Sequence, residues 1–417
     1  MKRYAMTAIL ESPLVVRKER HSQRSEGVDS LSGTLLRGAL AQVYLQQHGS
    51  ADPTFAELFV DEDMARYGPL DPDKQVVPLT AASCKREPGF RAEGKHGLAD
   101  QLWLRIARRL CGRELSATVL DRSRRCSRCH QDLKGFSGFY RHDLNKGYFT
   151  PKKSWRREPV AHVGIDRSTH TAAESIFYHL PALEPTTKDA NLHGILEAED
   201  TVVVGLRNLL HVENEIIRIG HARTRGYGKV RLKIGETLAE DSNDHARWED
   251  WSRQLTAFLT HSALGLTLEE DTFLFSLTLP TGAILLDSVL RYTLDLAGME
   301  SWLAPLPKPD ASRPVLEHAG VSVFGGRLWC VAAVTRHERL RGWNAAHGLP
   351  RQDEWAVTRG SVYAYLFQGD TTSRKNLQNN LTRLQQNGVG ARRIEGFGRV
   401  LVSDDFHRIF HNQETAP

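Results

Sequence analysis

The 417-residue sequence predicts an α+β protein made of two copies of one domain type. Three observations predict it. The pattern Gly220-His-Ala-Arg-Thr-Arg-Gly226-Tyr-Gly228-Lys229-Val230 returns as Gly390-Ala-Arg-Arg-Ile-Glu-Gly396-Phe-Gly398-Arg399-Val400, offset by 170 residues. Six positions match in spacing and type, which points to an internal duplication. Each half mixes candidate strands and helices and closes with helix, glycine loop and strand. The composition, 40% hydrophobic and 25% charged, is that of a folded globular chain and excludes a disordered one.

In the first half, Tyr4–Leu10 reads as a strand, then Ser12-Pro13 as a turn and Val15-Val16 as a short extension. Ser32-Gly33-Thr34 caps a predicted helix from about Leu35 to Gln46, with Leu36, Leu40, Val43 and Tyr44 at helical spacing. Residues 49–100 are rich in Pro, Gly and Asp and read as irregular. Leu98–Leu110 has an amphipathic helical pattern, and 121–160 reads as loops and a hairpin. Glu174–His179 and Thr201–Leu206 read as strands, Leu209–Ile219 as a helix and Lys229–Ile234 as a strand.

The polar stretch 235–247 is a candidate linker, followed by a helix at Trp248–Leu259. The second half then predicts a strand at Thr272–Leu279, a helix near Leu286–Leu296, and strands at Gly320–Phe324, Leu328–Val334 and Val362–Leu366. A helix at Arg374–Gln386 and a strand at Arg399–Val402 close it.

The charge is uneven. Lys and Arg number 55 against 50 Asp and Glu, a net +5, yet residues 101–160 alone hold fifteen basic against five acidic residues. Phe136, Phe139, Tyr140, Tyr148, Phe149 and Trp155 are interleaved there with Arg141, Lys146, Lys152, Lys153, Arg156 and Arg157. Rings that stack on bases beside cations that meet phosphates suit unpaired nucleic acid. A solvated basic loop is the competing reading. No apolar run approaches the ~20 residues of a membrane helix, and no secretory signal opens the chain. Five cysteines in a large chain do not form a disulfide framework, so a reduced, soluble, cytoplasmic protein is expected.

The glycine loops carry the chemistry. Glycine permits positive φ and close backbone approach, and consecutive amides can form a concave anion site. Arg223, Arg225, Lys229 and Arg231 flank the first loop, and Arg392, Arg393 and Arg399 the second, adding attraction to phosphate. Glu395 stands where the first loop has Arg225, so the first is the better candidate. The loops follow a helix and lack Gly-Lys-Ser/Thr, which sets aside the dinucleotide and NTPase fingerprints.

Cys126-Ser-Arg-Cys129 lies in a basic loop, and Cys84 and His96 lie twelve residues apart upstream. Cys84, His96, Cys126 and Cys129 would make a closed Cys₃His site for structural zinc. Cys111 or His130 could instead supply the fourth ligand. A redox pair lacks a thioredoxin-like context, and Cys330 reads as a buried strand cysteine.

These features together resemble the RAMP superfamily of CRISPR effector proteins. The markers are the two glycine loops and the helix-opening Ser32-Gly-Thr-Leu-Leu-Arg37-Gly38-Ala39-Leu40. To these are added Gly164-Ile-Asp166-Arg167-Ser-Thr-His170-Thr171-Ala-Ala-Glu174, and Gly342-Trp343 followed by Gly360-Ser361-Val362-Tyr363. The set is most similar to the Cas-five-like subunit of type III complexes, particularly subtype III-D, over essentially the whole chain.

The resemblance implies two ferredoxin-like (RRM-like) βαββαβ domains, at 1–235 and 271–417, joined by a linker and helix at 236–270. The first would hold a zinc-clipped irregular insertion at about 49–160. It also implies a non-catalytic subunit that holds the 5′ repeat-derived handle of a guide RNA (crRNA). Such a subunit touches the large signalling subunit and the first backbone subunit. Expected RNA contacts are Arg37; Arg167, Thr169 and Thr171 on a thumb-like hairpin from about Phe139 to Arg167; and Gly220, His221, Arg223, Arg225, Gly226, Tyr227, Gly228, Lys229, Arg392 and Arg393. The alternative is a metal-independent endoribonuclease that processes precursor guide RNA, with His170, His221 or His142 as acid or base. A scaffold binding only proteins is a third possibility.

Overall fold

The computed structural model describes residues 1–16, 30–111, 124–152, 155–187, 190–238, 244–261, 264, 266–307, 314–317, 320–344 and 347–412. Lys153 of the basic segment and 239–243 of the candidate linker lie outside the described residues.

The first half is built on a five-stranded antiparallel sheet. Its order is Ile216–Arg218, Lys229–Thr237, Lys2–Leu10, Asn191–Ala198, Ala65–Tyr67. Alternate residues of the opening strand, Tyr4, Met6, Ala8 and Leu10, are buried. They share a core with Leu36, Leu40, Val43 and Tyr44 of the helix Gly33–His48 and with Leu206 and Leu210 of the helix Asp200–Val212. Period-2 burial on the strand meets period-3.6 burial on the helices, as a two-layer domain requires. Ser32 caps the first helix by accepting from the Leu35 amide, and Gly49 closes it in the left-handed region.

The β-branched run Thr201–Leu206, expected as a strand, is instead the start of that second helix. Val202, Val203, Leu206, Leu209 and Leu210 line one helical face against the sheet, and burying that face outweighs strand propensity. The helix expected over Leu209–Ile219 therefore ends at Val212. Asn214 and Glu215 adopt positive φ, and Ile216–Arg218 turns back as an edge strand.

The second half repeats the arrangement. Its antiparallel sheet runs Val321–Val323, Gly326–Val334, Val362–Gln368, Thr272–Thr278, Leu401–Val402. In both sheets the half's opening strand lies between its closing strand and the strand that leads into a helix, Asn191–Ala198 before Asp200–Val212 or Val362–Gln368 before Thr371–Asn387. The helix expected near Leu286–Leu296 does not form. That segment is irregular apart from a 3₁₀ turn at Leu296–Gly298. Leu296 from it, with Leu285 and Leu303 on either side, still packs beside Leu377, Leu381 and Leu384 of Thr371–Asn387. The apolar side chains cover the sheet without a helix to carry them.

The insertion departs most from expectation. Although it interrupts the first half, it builds against the second. Leu102, Trp103, Ile106 and Leu110 of the helix Leu102–Cys111 join Trp251, Leu255 and Leu259 of Asp244–Thr260 over Leu274, Val362, Ala364 and Leu366. Phe90, Leu98 and Tyr140 pack with Phe406 and Phe410 near the C-terminus. Beneath them the fully buried His407 shares hydrogen bonds with Asp100 Oδ2 at 2.9 Å and Thr278 Oγ1 at 3.0 Å. No helix of the described residues is long and apolar enough to cross a membrane.

Candidate nucleic-acid interface and metal centre

The two glycine loops have the same backbone. Gly220, Ala222, Gly226 and Gly228 have φ of 87°, 58°, 89° and 75°, and Gly390, Arg392, Gly396 and Gly398 have 82°, 59°, 81° and 76°. Each encloses a 3₁₀ turn, Arg223–Arg225 or Arg393–Glu395. Each is tied down alike. His221 N donates to Val15 O and Ala391 N to Ile284 O, while Lys229 N donates to Ser12 Oγ and Arg399 N to Thr281 Oγ1. The duplication legible in the sequence is a duplication of conformation.

Their surroundings differ. The second loop is buried in the seam between the halves. A Cβ on Gly396 would lie 2.4 Å from Tyr67 O, and one on Gly33 2.4 Å from Glu395 O, so the backbones touch where both residues lack side chains. Glu395, its side chain 4% exposed, accepts from Arg37 Nη2 at 2.7 Å, Thr34 Oγ1 at 2.6 Å, Arg351 Nη1 at 3.2 Å and Arg392. Burial opposes its ionisation, but Arg392, Thr34, Arg351 and Arg37 outweigh it and hold the carboxyl below its usual range. Arg392 also meets Glu354, and Arg393 meets Glu62. Arg37 further donates to Phe59 O at 2.6 Å. Protein carboxylates already hold the guanidiniums of Arg37, Arg392 and Arg393, which build the seam.

The first loop faces outward. His221, Arg223, Thr224, Arg225 and Gly226 are exposed, and Leu180 with Gly220–Arg225 lines an open groove. The amides of Arg223 and Thr224 have no protein acceptor among the described residues. Arg223 donates to Gln42 Oε1 at 2.6 Å. Arg225 donates to the Tyr178 hydroxyl, its guanidinium 5.9 Å from the ring centroid. Tyr178 stacks on His162 at 5.4 Å, and His162 Nε2 lies 2.9 Å from the Tyr227 hydroxyl. Burial raises the Tyr227 phenol, which keeps it protonated. Lys229 pairs with Glu11 at 2.8 Å, an acid it shares with Arg231 at 2.5 Å.

Tyr178 and His162 are cross-strand partners on a long hairpin, Trp155–Ile165 with Ala172–Pro185. The hairpin expected from about Phe139 to Arg167 lies further along, at 155–185, while Phe139–Asp143 pairs with Gln75–Val76 and Gly147–Phe149, and the sequence does not point to this pair. The register slips between Ala172 and Phe177, and only the folded ladder sets Tyr178 against His162 and under Arg225. At the tip, Asp166 accepts from the Ser168 amide at 2.7 Å and hydroxyl at 2.6 Å, which holds its carboxyl low. Thr169 and Thr171 bond each other at 2.8 Å, and Arg167 is exposed beside them. Val163, Ile165, Ile176 and Phe177 leave apolar side chains in solvent near that tip.

The three candidate histidines sit on separate elements. His170 is at the hairpin tip, His221 in the first loop, and His142 on an insertion strand, where it stacks on Tyr148 at 4.3 Å.

Cys84, His96, Cys126 and Cys129 come together, with their ligand atoms within 4.8 Å of one another. Cys84 Sγ lies 3.4 Å from Cys129 Sγ, and Cys126 Sγ 3.4 Å from His96 Nδ1. Zn–S bonds of about 2.3 Å in a tetrahedron place sulfurs about 3.8 Å apart, so the spacing suits a closed site. Burial alone would raise the Cys84 thiol, but the Glu87 and Arg86 amides, Cys129 and His96 bring it down to about 6. Neither Cys111 nor His130 belongs to the cluster. Burial pushes the Cys330 thiol up, as expected of an inert strand cysteine.

No family model matches the chain, and no curated protein does. Solved structures overlap it weakly. A chain of the type III-B Cmr-beta complex bound to cognate target RNA and AMPPnP matches at 11% identity and TM-score 0.38, with 92% of each chain covered. A chain of a type IV-B CRISPR complex matches at 13% and 0.25, covering 58% of this chain and 93% of that one. Oligomeric Cmr4 from Pyrococcus furiosus matches at 14% and 0.25, covering 57% and 100%. At TM-scores this low, none of these likenesses decides the fold or the role of this chain.

Proposed function

We propose that the chain is a non-catalytic RNA-binding subunit of a type III, III-D-like CRISPR ribonucleoprotein, made of two ferredoxin-like RAMP domains. It holds the 5′ repeat-derived handle of the guide RNA and contacts the large signalling subunit and the first backbone subunit. The motif resemblance supplies the family. One observation carries the site: of two loops with one backbone, the first is solvent-facing, with Arg223 and Arg225 where the second has Arg393 and the seam's Glu395. Phosphate would meet these guanidiniums and the loop amides, and bases would stack on Tyr178 and His162. Arg167, Thr169 and Thr171 extend the contact along the hairpin. Cys84, His96, Cys126 and Cys129 would hold one structural zinc, which clips together a segment too polar for a core of its own.

The test is binding of repeat-derived RNA across a salt series. Arg223→Ala with Arg225→Ala weakens binding and flattens the salt slope by no more than about two units. Unchanged affinity and slope remove the loop from the site. Maturation of precursor RNA by pure protein in chelator, lost on substituting His170 or His221, would favour the nuclease reading instead.

A further inference from the structure

Arg124, Arg125, Arg128 and Lys134 of the basic segment lie beside the Cys/His cluster rather than at the first glycine loop. The cluster's segment packs on the second half through Phe90, Phe406 and Phe410. We infer that this cluster presents a second, sequence-independent site for the phosphate backbone of a single polynucleotide strand, centred on Lys85, Arg86, Arg124 and Lys134.

The four ligand atoms lie within 4.8 Å of one another, so residues adjacent to the ligands are confined to one small knob. Stretches 84–97 and 124–134 contain eight Lys/Arg against three Asp/Glu. Part of that charge is used internally. Lys95 pairs with Glu87 at 2.8 Å, and Arg128 reaches Lys95 O at 3.4 Å. Three thiolates around a divalent ion carry a single net negative charge, which one cation offsets, so neutralising the metal site does not account for the surplus. Lys85, Arg86, Arg124 and Lys134 are exposed and enter no ion pair or side-chain hydrogen bond among the described residues.

Their backbone is fixed. Lys85 N donates to Asp132 O at 3.0 Å, Cys126 N to Gln131 O at 2.7 Å and His130 N to Cys126 O at 2.9 Å. Ala81–Cys84 pairs with both Leu98–Asp100 and Leu133–Gly135. Unpaired cations on a rigid scaffold lose little backbone entropy on binding and gain counterion release.

The experiment uses the full-length, zinc-loaded protein with labelled 20-nucleotide RNA and DNA strands, read by fluorescence anisotropy from low to moderate salt. Lys85→Ala, Arg86→Ala, Arg124→Ala and Lys134→Ala are combined in one variant. Arg223→Ala with Arg225→Ala is measured separately, so failure of one site is distinguishable from failure of the other. The four-site variant is expected to keep one zinc and its melting temperature, while its salt slope falls by up to about 3 units. Loss on both strands assigns backbone phosphate; loss on RNA alone adds the 2′-hydroxyl. An unchanged slope on both overturns the inference. If the variant loses metal, photocrosslinking of the unaltered protein decides. Crosslinks within 84–97 or 124–134 support the site, and their absence overturns it.

Discussion

Replacing Glu395 by alanine tests whether the second glycine loop is a structural plug. The carboxylate is almost wholly buried and faces Arg37, Arg351, Arg392 and Thr34. Removing one member of a buried charge network leaves the others uncompensated and costs about 3–5 kcal/mol. Three guanidiniums would lose the acid they share, but Arg392 keeps Glu354 and Arg37 keeps Phe59 O, so the lower part of that range is expected for Glu395→Ala. Glu395→Gln keeps an acceptor and costs less. The matched control is Arg225→Ala at the same position of the first loop, where exposure limits the change to about 0.5 kcal/mol. Urea denaturation followed by circular dichroism and tryptophan fluorescence reads all three. The carboxyl is depressed below its ordinary 4.5, so its stabilisation is present above that pH and lost as pH falls through the folded value. The gap between the parent and Glu395→Ala therefore closes in acid. Equal stabilities of Glu395→Ala and Arg225→Ala at neutral pH would refute the plug.

Two further outcomes follow from the same geometry. Metal analysis should find one zinc per chain, and Cys126→Ser or chelation should lower the melting temperature and raise amide exchange across Phe406–Phe410, because the clipped insertion packs there; exchange confined to the insertion would contradict this. Gly226→Ala meets nothing within 4 Å and costs about 1–2 kcal/mol for its positive φ alone, whereas Gly396→Ala also drives a Cβ against Tyr67 O at 2.4 Å and should cost clearly more in the same denaturation assay.

Much of the metal cluster was legible in the sequence, because zinc ligands are few in type and Cys-x-x-Cys fixes two of them locally. The choice of His96 over Cys111 and His130 was not, since Cys111 ends a helix committed to the second sheet's core while the pairing of Ser83 with Leu98 brings His96 near Cys84. Strands such as Lys2–Leu10 and Thr272–Thr278 were readable from local apolar pattern. The helix Asp200–Val212 was not, because its valines suit either state and only the face they bury decides.

By itself the sequence determined that one loop pattern occurs twice, where those loops turn, and which cysteines gather, because spacing and backbone chemistry are local properties. The tertiary structure decided which loop is open. Two backbones of one shape became a buried plug and an exposed rim because Glu395 meets Arg37 across the seam while Arg225 meets Tyr178 at the surface. Those partners are separated by 358 and 47 residues, and no local pattern encodes a contact that exists only once the chain has folded.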